Sequence, residues 1–277
     1  MIRHSIIGLL ALASTAAMAE TPVERGGYLV DTIMTCGNCH TPKGPPAAIA
    51  GKDFSGGLTF DEPAFKVTAP NITPDKDTGI GKWSAAEIKK ALIQGVRPDG
   101  VQVAPIMPSA FYGILTPGDA NAIVAYLQSL KPVKNKVADP VYKLPFGHRQ
   151  FPGTEKPMSA ADMKNKVKYG FYLVSIGHCL ECHTPMVRGQ WQLDKIGKGE
   201  REFPGPWGKS LSRNITSSKT AGIGAWTDAE IKHAITQGKR KDGTPLKPPM
   251  GYGLYAKMTN ADLDAVVAYI RTLPAKE

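Results

Sequence analysis

The sequence predicts an all-α protein built from two tandem copies of one helical unit, with long loops joining the helices. Three observations predict it. Shifting the chain by 143 residues lays Cys36–Leu130 over Cys179–Leu273 without a gap, and a repeat of this kind sets the architecture. Capping signatures open helices at matching places in both copies. Each copy also holds one Cys-x-x-Cys-His stretch, Cys36-Gly37-Asn38-Cys39-His40 and Cys179-Leu180-Glu181-Cys182-His183, and these use all four cysteines.

The elements follow in order. The first helix is expected from about Val23 to Thr35, delivering the motif at its end; its counterpart runs from about Ala161 to His178. Gly27 and Gly170 on these helices are read as close crossings that let Tyr126 and Tyr269 approach the backbone. The second helix opens at the capping box Ser84-Ala85-Ala86-Glu87, with Ile88, Ala91 and Leu92 at helical spacing; Thr227-Asp228-Ala229-Glu230 opens its twin. The third starts at Thr116, with Pro117 at the first helical position and Asp119 near the positive end of the dipole. Its inward stripe is Ile123, Tyr126, Leu127 and Leu130, matched by Val266, Tyr269, Ile270 and Leu273 after Thr259. The stretches His40–Trp83 and His183–Trp226 are rich in Gly and Pro. Loops this long are uncommon in compact domains unless they serve a function. The domain reading is a leader at 1–19, a first domain at 20–131, a Pro- and Lys-rich linker at 132–157 and a second domain at 158–277.

Two cysteines three apart on a helical turn, followed at once by histidine, suit covalent attachment of a haem. Both thiols reach the vinyl groups and the imidazole faces the iron. A redox dithiol does not need the histidine. A zinc site is disfavoured because the pairs lie 143 residues apart, and disulfides leave the histidines unexplained. A porphyrin also gives the long loops something to wrap.

A second axial ligand follows by elimination. Beyond residue 19 the histidines are His40, His148, His178, His183 and His233, so the first unit has no distal histidine. Its methionines are Met34, on the proximal side, and Met107. The second unit offers Met158, Met163, Met186, Met250 and Met258, and the repeat selects Met250. Both units therefore place methionine 67 residues after the proximal histidine, in Pro105-Ile106-Met107-Pro108 and Pro248-Pro249-Met250. Iron bound by His40 and Met107, or by His183 and Met250, has a filled coordination sphere and a raised potential, which suits electron transfer rather than catalysis. Trp83, Trp226, Arg97 and Arg240 are candidate partners for the propionates, and Asn71 and Asn214 for holding the loops.

Arg3 and His4, an apolar run from Ile6 to Ala17, and Ala17-Met18-Ala19 read as a signal peptide cleaved near Ala19, hence export and, in a bacterium, the periplasm. Hydrophobic residues make up 42% of the chain, enough for a core in each unit. Residues 20–143 hold 13 Lys/Arg against 12 Asp/Glu, whereas residues 144–277 hold 20 against 12. Nucleic acid is an unsuited partner for an exported haem protein. A basic second half points to an acidic protein face or to anionic lipid headgroups.

At these residues the chain resembles the cytochrome c subunits of bacterial periplasmic alcohol, aldehyde and gluconate dehydrogenases. Cys-x-x-Cys-His-Thr, Asn71-Ile72-Thr73, Gly79-Ile80-Gly81 with Trp83, Asp99-Gly100 and Ala125-Tyr126, each repeated in the second unit, carry the likeness. That family commonly has three haem domains and a C-terminal membrane-associating segment; two haem motifs stand here. The resemblance implies tandem class I cytochrome c domains with two covalent haem c groups, relaying electrons from a dehydrogenase to a cytochrome, or to a quinone or terminal oxidase, of the respiratory chain. The chain itself is then not an enzyme. The alternative is a dihaem peroxidase or small-molecule oxidoreductase with one open haem.

Overall fold

The computed structural model describes residues 20–43, 48–205 and 207–277. The expected leader at 1–19 lies outside them. Helix α1 (Pro22–Tyr28) opens with a capping box, in which the Thr21 hydroxyl accepts from Glu24 N and Glu24 answers at Thr21 N. It runs into a widened turn at Leu29–Ile33, where Met34 N reaches Leu29 O at 2.7 Å and Cys36 N reaches Val30 O at 2.9 Å. The short helix α2 (Gly37–His40) follows. Strands β1 (Thr59–Asp61) and β2 (Phe65–Thr68) form a hairpin in the loop. Helix α3 (Ala85–Gln94) starts on the Ser84–Glu87 box and stops at Gly95, whose φ of 64° suits glycine. A 3₁₀ helix at Pro108–Ile114 leads to α4 (Pro117–Ser129), capped by Thr116.

The connecting stretch supplies strand β3 (Val141–Tyr142), which pairs with β2 and makes a three-stranded sheet. The second unit then repeats the plan with α5 (Ala160–Met163), α6 (Lys166–Ile176) and α7 (Cys179–His183). Two hairpins follow, β4 (Met186–Val187) with β5 (Gln190–Trp191) and β6 (Glu202–Gly205) with β7 (Gly208–Leu211). Helices α8 (Asp228–Gln237), α9 (Tyr252–Tyr255) and α10 (Asn260–Ile270) complete it. Among the described residues no helix is long and apolar enough to cross a membrane.

Three expectations need correction. The units are helical but not purely so, because the loops fold back on themselves as short antiparallel ladders that satisfy their own backbone groups. The helix expected over Ala161–His178 is broken, since the Asn165 side chain accepts from Val167 N and Lys168 N and restarts it as α6. Gly27 does admit the Tyr126 ring, but the backbone crossing of the first unit falls on Gly26. A Cβ on Gly26 would lie 2.0 Å from Ala122 O and one on Gly170 would lie 2.0 Å from Ala265 O, whereas one on Gly27 would meet only the Tyr126 ring, at 3.1 Å. Gly26 stands ten residues before Cys36 and Gly170 nine before Cys179. The widened turn absorbs the extra residue, as π-type bulges do.

The core is continuous through both units, from Leu29, Ile33, Ile123 and Leu127 to Leu173, Ile176, Val266 and Ile270. The contact between units is reciprocal. The Tyr28 hydroxyl donates to Asp262 at the start of α10, and the Tyr172 hydroxyl donates to Asp119 at the start of α4. Within units, Arg25 forks onto Asp119 at 2.8 and 3.1 Å, and Tyr169 donates to Asp262 at 2.8 Å. Each buried carboxylate thus sits at a helix N-terminus with donors from both halves, the pattern of an isologous interface.

Gly26→Ala is expected to destabilise the holoprotein by several kcal/mol, because backbone cannot yield to a new Cβ, while Gly27→Ala is far milder; thermal melting of both variants checks the register. Burial, then Asp262, pushes the Tyr28 phenol up to about 12, and burial raises that of Tyr172 as well. A raised phenol pKa favours the protonated form in the fold. Its contribution is therefore complete below about pH 10 and is lost as pH rises from there through about 12. The melting temperature should fall across that window, and the fall should be smaller in Tyr28→Phe/Tyr172→Phe.

Candidate haem sites

Each motif begins at a strained joint. Thr35 and His178, just before the first cysteines, have φ of 49° and 42°, left-handed values that side chains rarely adopt. The joint ends the long helix and starts a fresh turn. In the first unit Cys39 N and His40 N return to Cys36 O at 3.2 and 2.9 Å, so Cys36, Cys39 and His40 share that turn. In the second, Cys179, Cys182 and His183 share α7.

The histidines are held alike. His40 Nδ1 lies 2.7 Å from Pro70 O, and His183 Nδ1 lies 2.7 Å from Arg213 O. A carbonyl only accepts, so Nδ1 carries the proton and Nε2 keeps its lone pair for a metal. Burial lowers both imidazole pKa values against the hydrogen bond, which favours the neutral, ligating form.

The residues fit a covalently bound haem c. The four cysteines form no disulfide. Burial pushes Cys36, Cys179 and Cys182 up to about 12 and Cys39 to about 11. Sulfurs that avoid charge this strongly are poor redox nucleophiles but suit neutral thioethers. Among the described residues no three His, Cys, Asp or Glu side chains converge on a metal, so the imidazoles have no protein-only cage. Arg97 carries a buried Nε–H without an acceptor, a donor suited to an anionic propionate.

Met107 and Met250 stand on loops separate from the motif turns. Each loop is folded back onto the glycine that ends the preceding helix. Val103 N bonds Gly95 O at 2.8 Å and Leu246 N bonds Gly238 O at 2.7 Å, while Arg97 N–Val101 O and Arg240 N–Thr244 O close the turns between. Gly95 and Gly238 share a φ of 64°. Both methionines are half-buried, and Met107 packs against the core. Trp83 and Trp226 pack against the core as well. Asn71 and Asn214 hold their loops: each side-chain oxygen accepts from Thr73 or Thr216, and each amide reaches the segment beyond the third helix, at Val133 O and Lys276 O.

Sequence reasoning missed how close the two motifs lie. His178 Nε2 is 3.4 Å from Met34 O, and a Cβ on Gly177 would lie 3.2 Å from Ile33 O. The 3₁₀ helix after Met107 packs on α6, and α9 after Met250 packs on the widened turn of α1. It also missed Tyr112 and Tyr255, buried five residues after the two methionines, where burial raises both phenols far up. Their matching positions in the repeat were the available signal.

The cytochrome c family pattern matches residues 23–131 and again 167–274. The chain is 30% identical to the fructose dehydrogenase cytochrome subunit of Gluconobacter japonicus, over 95% of this chain and 55% of that one. It is 30% identical to the cytochrome c subunit of a quinone alcohol dehydrogenase from Gluconobacter oxydans, over 97% and 59%. It is also 30% identical to a dihaem c-type cytochrome of Cereibacter sphaeroides, over 87% and 83%. The chain thus spans little more than half of the two dehydrogenase subunits.

Asn71→Ala removes the tie between loop and following segment: the Val133 carbonyl loses its 2.7 Å donor and the buried Thr73 N–H loses its acceptor. A loss of roughly 1–3 kcal/mol or more is expected, read as a lower melting temperature of the holoprotein; Asn214→Ala should do the same in the second unit.

Proposed function

Because the chain belongs to the cytochrome c family, with one matching domain per repeat, we propose that it is a dihaem electron carrier. It takes electrons from a periplasmic dehydrogenase of the alcohol, aldehyde, gluconate or similar type. It passes them to a cytochrome, or to a quinone or terminal oxidase, of the respiratory chain. The observation that carries this is the pair of motif turns, each presenting a neutral imidazole locked by a backbone carbonyl, brought side by side at one interface.

A bound haem c supplies a reversible one-electron couple. The chain's residues do the rest. Cys36 and Cys39 hold one haem and Cys179 and Cys182 the other. His40 and His183 would offer Nε2 to the iron, and Met107 and Met250 would offer a thioether sulfur. Arg97 brings charge to the rim. Iron held by these histidine and methionine donors would suit electron transfer, and the substrate would be oxidised on another chain. Residues 20–131 and 158–277 act as the two domains, 132–157 as the linker and 1–19 as the export leader.

Met107→Ala and Met250→Ala should each lower one potential and open one iron to carbon monoxide, while the wild type in its reduced state binds none rapidly. Unchanged spectra of the variants would refute the ligand assignment. Stoichiometric binding of carbon monoxide to the wild type would favour an enzyme with an open haem. Cys179→Ser/Cys182→Ser should halve the covalently attached haem in a pyridine haemochrome assay.

A further inference from the structure

The internal repeat supplies a template for a docking surface. Hairpins β1–β2 and β6–β7 occupy the same place in the two units and share a register: Thr59↔Thr68 and Asp61↔Lys66 correspond to Glu202↔Leu211 and Pro204↔Lys209. In the first unit the outer edge of β2 is covered. Strand β3 pairs with it antiparallel, Phe65 opposite Tyr142 and Lys66 opposite Val141. Lys143 N and Leu144 N both donate to Ala64 O, and Phe146 packs edge-on against Phe65. In the second unit the equivalent edge is Gly208–Lys209. Among the described residues β7 pairs with β6 alone, and no backbone hydrogen bond from outside the hairpin reaches it. An uncovered edge presents a row of donors and acceptors to any extended chain.

The geometry points to strand addition: the β7 edge takes an extended acidic segment of a partner protein as a third antiparallel strand, where β3 sits in the first unit. The choice of an acidic segment follows from charge. On the covered edge, Lys143 of the added strand meets Asp61 of the hairpin at 2.6 Å. In the first unit Lys66 also pairs with Asp61, at 3.3 Å; here Pro204 stands in place of Asp61, so Lys209 lacks that carboxylate and an added strand that brings one suits the edge. Among the described residues Lys209 pairs with Glu202 alone, at 2.9 Å, with both side chains more than half exposed, a pair readily exchanged. Trp207, 37% exposed, stands where Ala64 accepts its two bonds and offers an aromatic anchor. Lys209 also discourages pairing with a second copy of the same edge. Arg201, at the base of the hairpin, donates to the Glu181 carbonyl inside the second motif, which ties the hairpin to that turn. Only the partner's role as electron donor or acceptor rests on the carrier reading.

The test uses the full holoprotein and a synthetic octapeptide alternating glutamate and valine, with a backbone N-methylated form as control. The peptide should saturably slow amide hydrogen exchange at Gly208–Leu211 while the N-methylated form does not, and Lys209→Glu should weaken binding about tenfold at low salt. The inference is overturned if the peptide gives no protection there or if the N-methylated peptide binds as well. It is also overturned if only phosphatidylglycerol vesicles protect the hairpin, which would make the surface lipid-facing. None of these readouts involves electron transfer, so failure of the carrier reading leaves the docking result standing.

Discussion

In both units the first helix passes the last at a glycine, and the carbonyl opposite comes within 2.0 Å of where a Cβ would be. That crossing sets where the first helix ends, and hence where the cysteines and histidine begin. A side chain at Gly26 or Gly170 would push the helices apart and carry the motif with them. The same crossing brings Tyr126 over the first helix, where its hydroxyl bonds Asp31 at 2.8 Å. The two motif turns therefore depend on a contact made well away from them.

The second dependence runs between units. The helices that follow Met107 and Met250 each rest on the motif-bearing helix of the other half. A methionine loop is thus braced partly by the neighbouring unit. The buried Tyr–Asp pairs fix this arrangement with hydrogen bonds to carboxylates, which are stronger and more directional than apolar contact alone.

Much of this was legible in the sequence, for identifiable reasons. The capping boxes at Ser84 and Thr227, Pro117 and the exact 143-residue offset act locally, and the structure places each where the residues imply. The motif turns were legible because the chemistry of attachment dictates their spacing. The remainder depends on contacts distant in sequence. Gly27 was the natural choice under a constant offset, and only the widened turn at Leu29–Ile33 shows that Gly26 takes the crossing. The carbonyls of Pro70 and Arg213 carry no side-chain signature, so the lock on each imidazole could not be read from residue types. The hairpins escaped notice because Gly- and Pro-rich stretches lack the alternation that marks a strand.

The reciprocal pairs have an evolutionary consequence. The donor Tyr28 and the acceptor Asp119 lie in the same half, as do Tyr172 and Asp262, so each half holds both parts of the clasp. An ancestral single-haem chain with these residues would have paired with an identical copy through the same two bonds. Joining two such halves in one chain would make that association intramolecular and independent of concentration, while leaving each half free to differ in length, as the two differ between crossing glycine and first cysteine.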